Sequence, residues 1–388
     1  MSHHAVTEGR SAGHRSTSSR RWLGVGLVLL AGCFGDDTPP RPPSTTTSYV
    51  GQTREYWIQA EDVLWDYAPS FPTNVCTGQP FDDTANVFVA PGPDRIGHRY
   101  FKAVYRGYTA NFGRRLNHPA DLGTLGPVIT AAVGDTIVVH FRNRAQFPAS
   151  LHPHGVFYNK ANEGAPYNDG TSGNDKGDDA VAPGSSRTYT WAVPERAGPG
   201  PNDGSSVFWM HHSHTDEVMD TYTGLMGPLV ITAAGKARSD GSPVDVDVSR
   251  YTMFLVFDEN QSHYLDRNIQ LAGDPGSIDP EDDEFIESNL MHSINGYVFC
   301  NLPGLNMRLG DRVRWNVMGM GTEVDLHTPH WHGNTVLFHG LRQDVVELLP
   351  ATTLVADMKP DDPGTWLYHC HVNDHILAGM LSLYRVQQ

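Results

Sequence analysis

Near the C-terminus, His369, Cys370 and His371 are followed by His375 and then by Met380. A thiolate, an imidazole and a thioether form most of the ligand set of a blue copper centre, where Cys and His bind tightly and Met is a weak axial ligand. A second imidazole is required. On a strand, successive side chains face opposite sides of the sheet, so His369 and His371 point away from the Cys370 thiol. Those two histidines are therefore available to another metal.

Three further histidine groups are His152-Pro153-His154, His212-Ser213-His214 and the run His327-Thr328-Pro329-His330-Trp331-His332. With the C-terminal group they contain ten of the chain's twenty histidines, which marks these four places as the metal chemistry of the chain. A His-x-His pair on an extended segment puts both imidazoles on one face. Four such pairs, 152/154, 212/214, 330/332 and 369/371, can offer eight nitrogens to a shared cluster. His327 is then left over, and it completes a blue site of His327, Cys370, His375 and Met380. Zinc is the rival metal, since it also takes His and Cys. Structural zinc sites close with four ligands, however, and use neither eight paired imidazoles nor a Cys-His-Met set.

The four groups resemble the copper-binding motifs of multicopper oxidases in order and internal spacing. The run from Tyr189 through Val193-Pro194-Glu195-Arg196 to Pro201, and the stretch from Glu55 to Ser70, resemble the domains of ceruloplasmin, hephaestin and the coagulation-factor A domains. The resemblance extends from about Tyr49 to the C-terminus. It implies four copper ions per chain: one type 1 ion on His327, Cys370, His375 and Met380, and one type 2 ion on His152 and His330. A binuclear type 3 pair would sit on His154, His212, His214, His332, His369 and His371. It also implies that a one-electron donor reaches the blue site near His327 and His375. Cys370 would pass the electron to its neighbours His369 and His371, and four stored electrons would take dioxygen to two waters.

The elements that must hold these ligands repeat. Val133-Gly134-Asp135-Thr136 matches Leu309-Gly310-Asp311-Arg312, each a tight turn feeding an alternating strand upstream of a histidine pair. Trp209 stands three before His212, as Trp366 stands three before His369. Each half therefore reads as an antiparallel β-sandwich of short strands, and the resemblance makes the chain all-β, with two cupredoxin-like Greek-key domains over residues 49–235 and 251–388. Ser213 stands where Cys370 stands, so the first half lacks a blue site. A linker from about Ala233 to Arg250 separates the halves. Two-domain chains resembling larger oxidases, and small bacterial laccases in particular, can complete the cluster by homotrimerisation, with first-half ligands of one subunit meeting second-half ligands of the next. A monomer with an internal cluster is the alternative.

A formal charge of -16, with 39% apolar residues, 39 Gly and 27 Pro, describes a turn-rich globular chain whose surface repels nucleic acid and can attract cations. Residues 1–32 have the form of an export signal: Arg20-Arg21, an apolar run from Trp22 to Ala31, and Leu30-Ala31-Gly32-Cys33 as a bacterial lipoprotein cleavage box. Cys33 would carry the lipid, residues 33–48 would be a flexible tether, and the protein would be periplasmic or lipid-anchored on an outer membrane face, meeting the membrane through that anchor alone. Twin-arginine export is a weaker reading. In an exported protein the two unassigned cysteines, Cys76 and Cys300, form a candidate disulfide, with two buried free thiols as the alternative.

Several residues beside the ligands are candidates for supporting roles. Tyr158, four after His154, could supply an electron as a redox-active phenol or be a packed core tyrosine. Glu163, Asp216 and Glu217 could deliver the protons that dioxygen reduction consumes. Asp325 and Asp374 flank blue-site ligands and could contact substrate, or could be carboxylates bonded to a neighbouring imidazole. His211 should face away from the cluster. The loop from Gly164 to Pro183 fits no calcium spacing and reads as a solvated loop. The reductant would be Fe(II) or a phenol or aromatic amine, giving ferroxidase or laccase activity. The alternatives are an enzyme like copper nitrite reductase, and a non-enzymatic copper-binding protein.

Overall fold

Hydrophobic alternation is clearest in the strand Thr136–Asn143, where every second residue is buried, as a strand with one face on a core requires. The computed structural model describes residues 50–388, and the expected export signal, the tether and Cys33 lie outside the described residues. In the first half, one sheet runs Arg99–Tyr108, Thr53–Asp66, Thr136–Asn143, Ser186–Ala192. The facing sheet runs Ile129–Ala132, Met226–Thr232, Ser206–His212, His152–Pro153.

The second half repeats this plan. Its first sheet starts Leu290–Ile294, Val248–Asp258, Val313–Gly319, Thr353–Met358 and is extended by the short strands Val336–Phe338 and Leu341–Gln343. Its second runs Asn306–Arg308, Leu381–Gln387, Gly364–Cys370, Pro329–Trp331. Both halves are cupredoxin-like Greek-key sandwiches.

The sheets depart from the expected antiparallel pattern, since each contains one parallel pair. Thr53–Ala60 pairs in parallel with Thr136–Asn143 and Val248–Phe254 with Val313–Gly319, and in the facing sheets Ile129–Ala132 pairs in parallel with Leu229–Thr232 and Asn306–Arg308 with Arg385–Gln387. In each half the chain crosses between the two sheets before it returns, so the first strand lies beside one running the same way.

The halves are not separated by a bare linker. Arg238 donates to the carbonyls of Val244 and Val246, and Ala237 bridges Pro243, so the connection is folded onto itself. One hydrophobic cluster holds Phe208, Met210, Met226 and Val230 of the first half with Met253, Leu255, Phe257 and Met318 of the second. Arg314 donates to Ser205 and Ser206 across the seam, and Thr353 Oγ1 donates to the Phe208 carbonyl. Cys76 and Cys300 are disulfide-bonded, with Cα atoms 5.3 Å apart, and so join the two halves covalently. Lys102 and Glu259 form a fully buried ion pair on the same seam, 2.5 Å apart, with Tyr67 donating to the same carboxylate oxygen. Burial lowers the lysine pKa and raises that of the glutamate.

Candidate metal centres

The Gly364–Cys370 strand and the short helix Asn373–Leu377 converge on the loop before Pro329–Trp331. There the Nδ1 atoms of His327 and His375 lie 3.1 Å apart, and Cys370 Sγ lies 3.9 Å and 3.5 Å from them. All three side chains are buried. Burial pushes the Cys370 thiol up, but bonds from His327, His375 and the amides of Thr328 and Val372 outweigh it and bring the pKa down to about 6. Met380 is fully buried, and its backbone receives the Cys370 amide and reaches the His375 carbonyl. A thiolate and two converging imidazoles, with a buried methionine on the segment that follows them, are a copper-type donor set.

Asp325 lies wholly inside the protein rather than on the surface. It accepts from the amides of Val256 and Thr322, and its Oδ1 lies 3.2 Å from His327 Nε2, which leaves Nδ1 facing the thiolate. Burial opposes a charge on His327, yet Asp325 and Cys370 together raise its pKa. Asp374 is exposed, one residue before His375. His292, which spacing did not single out, packs its ring 5.3 Å from that of His375.

Alternation places the flanking histidines as expected. His369 and His371 turn from the Cys370 face to join His330 and His332: His369 Nε2 is 3.1 Å from His330 Nδ1 and 3.0 Å from His332 Nε2, and the His330 and His371 rings are 5.3 Å apart. In the first half His152, His154, His212 and His214 form a matching quartet, with ring separations of 5.2 to 5.7 Å and a 3.1 Å contact between His154 Nε2 and His212 Nε2. Backbone carbonyls fix several of these rings by their Nδ1 atoms: Glu163 for His152, Ser213 for His212 and Cys370 for His369. Each leaves Nε2 directed into its quartet, as metal-binding imidazoles require. Burial keeps His154 and His369 down to about 4, and therefore neutral and able to ligate.

Among the described residues no ring contact joins His152, His154, His212 or His214 to His330, His332, His369 or His371. His371 is exposed, and Phe157, three residues after His154, is 55% exposed.

Comparison with known proteins agrees with this geometry. Two sequence profiles, each described as multicopper oxidase, match residues 121–236 and 277–388. The chain belongs to the multicopper oxidase family. It is 46% identical over 339 residues to the human ferroxidase HEPHL1, covering 86% of this chain and 29% of that one. It is 45% identical over 343 residues to human hephaestin (87% and 30%) and 43% over 344 residues to rat ceruloplasmin (86% and 32%). The chain thus spans about three tenths of the length of these relatives. A crystal structure of a multicopper oxidase superposes with a TM-score of 0.55 at 17% identity, covering 86% of this chain and 89% of the other, and a blue copper oxidase from Nitrosomonas europaea with 0.54 at 16% identity, covering 86% of each. Family membership favours the oxidase reading over the nitrite-reductase-like and copper-carrier alternatives.

The remaining candidates around this multicopper oxidase site separate by their partners. Glu163 gives its carboxylate to Lys160 and Tyr167, and Asp216 caps the helix Glu217–Thr223. Glu217 is half-exposed, with Oε2 3.3 Å from His214 Nε2. Tyr158 meets the His152 ring at 5.6 Å. His211 faces the other way, buried beside Tyr105. In the Gly164–Pro183 loop, Lys176 lies 2.9 Å from Asp169 and 3.2 Å from Asp179, so an ammonium already neutralises the acids. Asp220 and His263, which the linear motifs did not reveal, lie behind His212 and His214.

Proposed function

We propose that the chain is an oxidase that couples one-electron oxidation of Fe(II) to reduction of dioxygen to water. Four copper ions bound by the mononuclear set and the two quartets would supply the one-electron chemistry and the store of reducing equivalents. The observation that carries the reading is one backbone segment: Cys370 sits in the mononuclear set while its covalent neighbours His369 and His371 sit in a quartet. His327, Cys370, His375 and Met380 would hold type 1 copper, His152 and His330 type 2, and the six other quartet histidines type 3.

Each quartet lies on its own half and no ring contact joins them among the described residues, which supports a cluster completed between subunits. We take the assembly to be a homotrimer whose 49–235 domain meets the 251–388 domain of the next copy. Glu217 is the favoured proton carrier, since its carboxylate lies beside His214 and reaches solvent, whereas Glu163 binds Lys160 and Tyr167 and Asp216 caps a helix, and Tyr158 stands where a phenol could donate an electron to the quartet. Asp374 beside His375 offers an anionic contact for a metal ion, and the name of the relative HEPHL1, a ferroxidase, points the same way. The two-domain plan leaves laccase activity as the second reading. Export with lipidation at Cys33 is part of the proposal. Among the described residues no helix is long and apolar enough to cross a membrane.

The test is a copper count with optical spectra, followed by parallel turnover of Fe(II) and of a bulky phenol under oxygen. Four coppers per chain and faster Fe(II) turnover are expected. A strong preference for the phenol would replace ferroxidase with laccase, and full copper without oxygen uptake would overturn the oxidase.

A further inference from the structure

The second half holds a blue site, and the first half holds the same frame without its ligands. Three residues before His152 and His330 stand Ala149 and His327, each bridged to another segment, Ala149 to Val181 and His327 to Leu348. Ser213 matches Cys370. The Ser213 amide donates to the Leu225 carbonyl at 2.9 Å, as the Cys370 amide donates to Met380 at 3.2 Å, so Leu225 stands for Met380. A left-handed glycine precedes each, Gly224 and Gly379. In the second half a metal would cross-link these segments. In the first half something else must do so, because His212 and His214 flank Ser213 and depend on where it is held.

That cross-link is Asp220. Its side chain is wholly buried and accepts three bonds: Ser213 Oγ at 2.5 Å and the Asp216 amide at 3.0 Å on Oδ2, and His263 Nε2 at 2.9 Å on Oδ1. Ser213 Oγ in turn receives the Ser150 amide at 2.9 Å, and Ser150 Oγ receives the His214 amide at 3.0 Å. His263 belongs to the second half. It is stacked on Phe147 with ring centroids 3.7 Å apart, its amide donates to Thr223 Oγ1, and Lys102 pairs with Glu259 on the same segment.

We propose that Asp220 and His263 are positioning residues that replace copper as the cross-link of the first half, so that docking of the second half's 259–264 segment sets the placement of His212 and His214. This rests on reading those two histidines as metal ligands. The replacement is physically economical: a buried carboxylate with three donors is fully bonded on the atoms facing the frame, whereas Ser213, Ala149 and Leu225 alone would leave a polar hydroxyl without an acceptor.

Asp220→Asn tests it, since an amide nitrogen would face a donor where the carboxylate accepts. In copper-free protein, hydrogen exchange at the Ser150 and His214 amides should speed up at least tenfold, with those of Cys370 and His371 changed less than twofold. In copper-loaded protein the near-ultraviolet type 3 band should fall by at least half, kcat should drop with KM for the reductant unchanged, and the blue thiolate band should persist. His263→Gln, a milder change, should give the same pattern at smaller size and serves if Asp220→Asn does not fold. Exchange at Ser150 and His214 within twofold of the parent, or equal acceleration at all four amides, overturns the proposal. A parent protein lacking the near-ultraviolet band would instead defeat the oxidase reading, while the exchange comparison would still decide this one.

Discussion

Cys370 does two things at once. Its thiol is held as a thiolate by surrounding donors, and its backbone ties two neighbouring imidazoles to a different site. The ordinary thiol value is about 8.5, and here it falls to about 6. The folded-state value is the lower one, so in copper-free protein the thiolate's contribution to stability is complete above about pH 8.5 and is lost as pH falls to about 6. The difference in urea midpoint between parent and Cys370→Ser, both copper-free, should therefore shrink across that window, and copper loading of the blue site should weaken below it as protons compete for the thiolate. Asp325 acts one step back. Asp325→Ala would strand the amides of Val256 and Thr322 and free His327 to rotate, at about 1–3 kcal/mol for each buried group left unpaired. A loss of blue absorbance larger than the loss of near-ultraviolet absorbance is the expected sign.

At the scale of elements, the first His-x-His pair of each half, 152/154 and 330/332, is followed by a glycine packed on a tryptophan. Gly155 has φ +78° and Gly333 has φ +70°, and a Cβ on either would lie within 2.4 Å of the ring of Trp209 or Trp366. Those rings are themselves anchored, donating to the carbonyls of Ala197 and Asp362. Each Trp sits three residues before a histidine of the facing strand, so the pair clamps two ligand-bearing segments together. Gly333→Ala should cost about 2–3 kcal/mol from backbone strain and overpacking together. Calorimetry should show the lowered Tm, and copper bound by the second-half quartet should fall with it. This clamp was half legible in the sequence: the repeat showed the tryptophans three before the histidines, while the contact with glycine needs the strand register between Pro329–Trp331 and Gly364–Cys370.

At the scale of the molecule, one chain brings His327, Cys370 and His375 together and holds two histidine quartets, one on each half. The proposed assembly makes a clear statement: native mass should be about three times that of the chain, and dissociation should abolish the type 3 band while leaving the blue band, because His327, Cys370, His375 and Met380 all come from one half. A full set of type 3 spectral features on a monomer would defeat it. The ligand types, their pairing and the two-fold repeat could be read from the sequence alone, because alternation along a strand places i and i+2 on one face and i+1 on the other without reference to the rest of the fold. Tertiary structure decided what periodicity cannot carry. It buried Asp325 under His327, joined Cys76 to Cys300 across 224 positions, and brought His263 of the second half to Asp220 of the first. Those pairings arise from packing two sandwiches along a shared core, and contacts across such a seam leave no spacing rule in the chain.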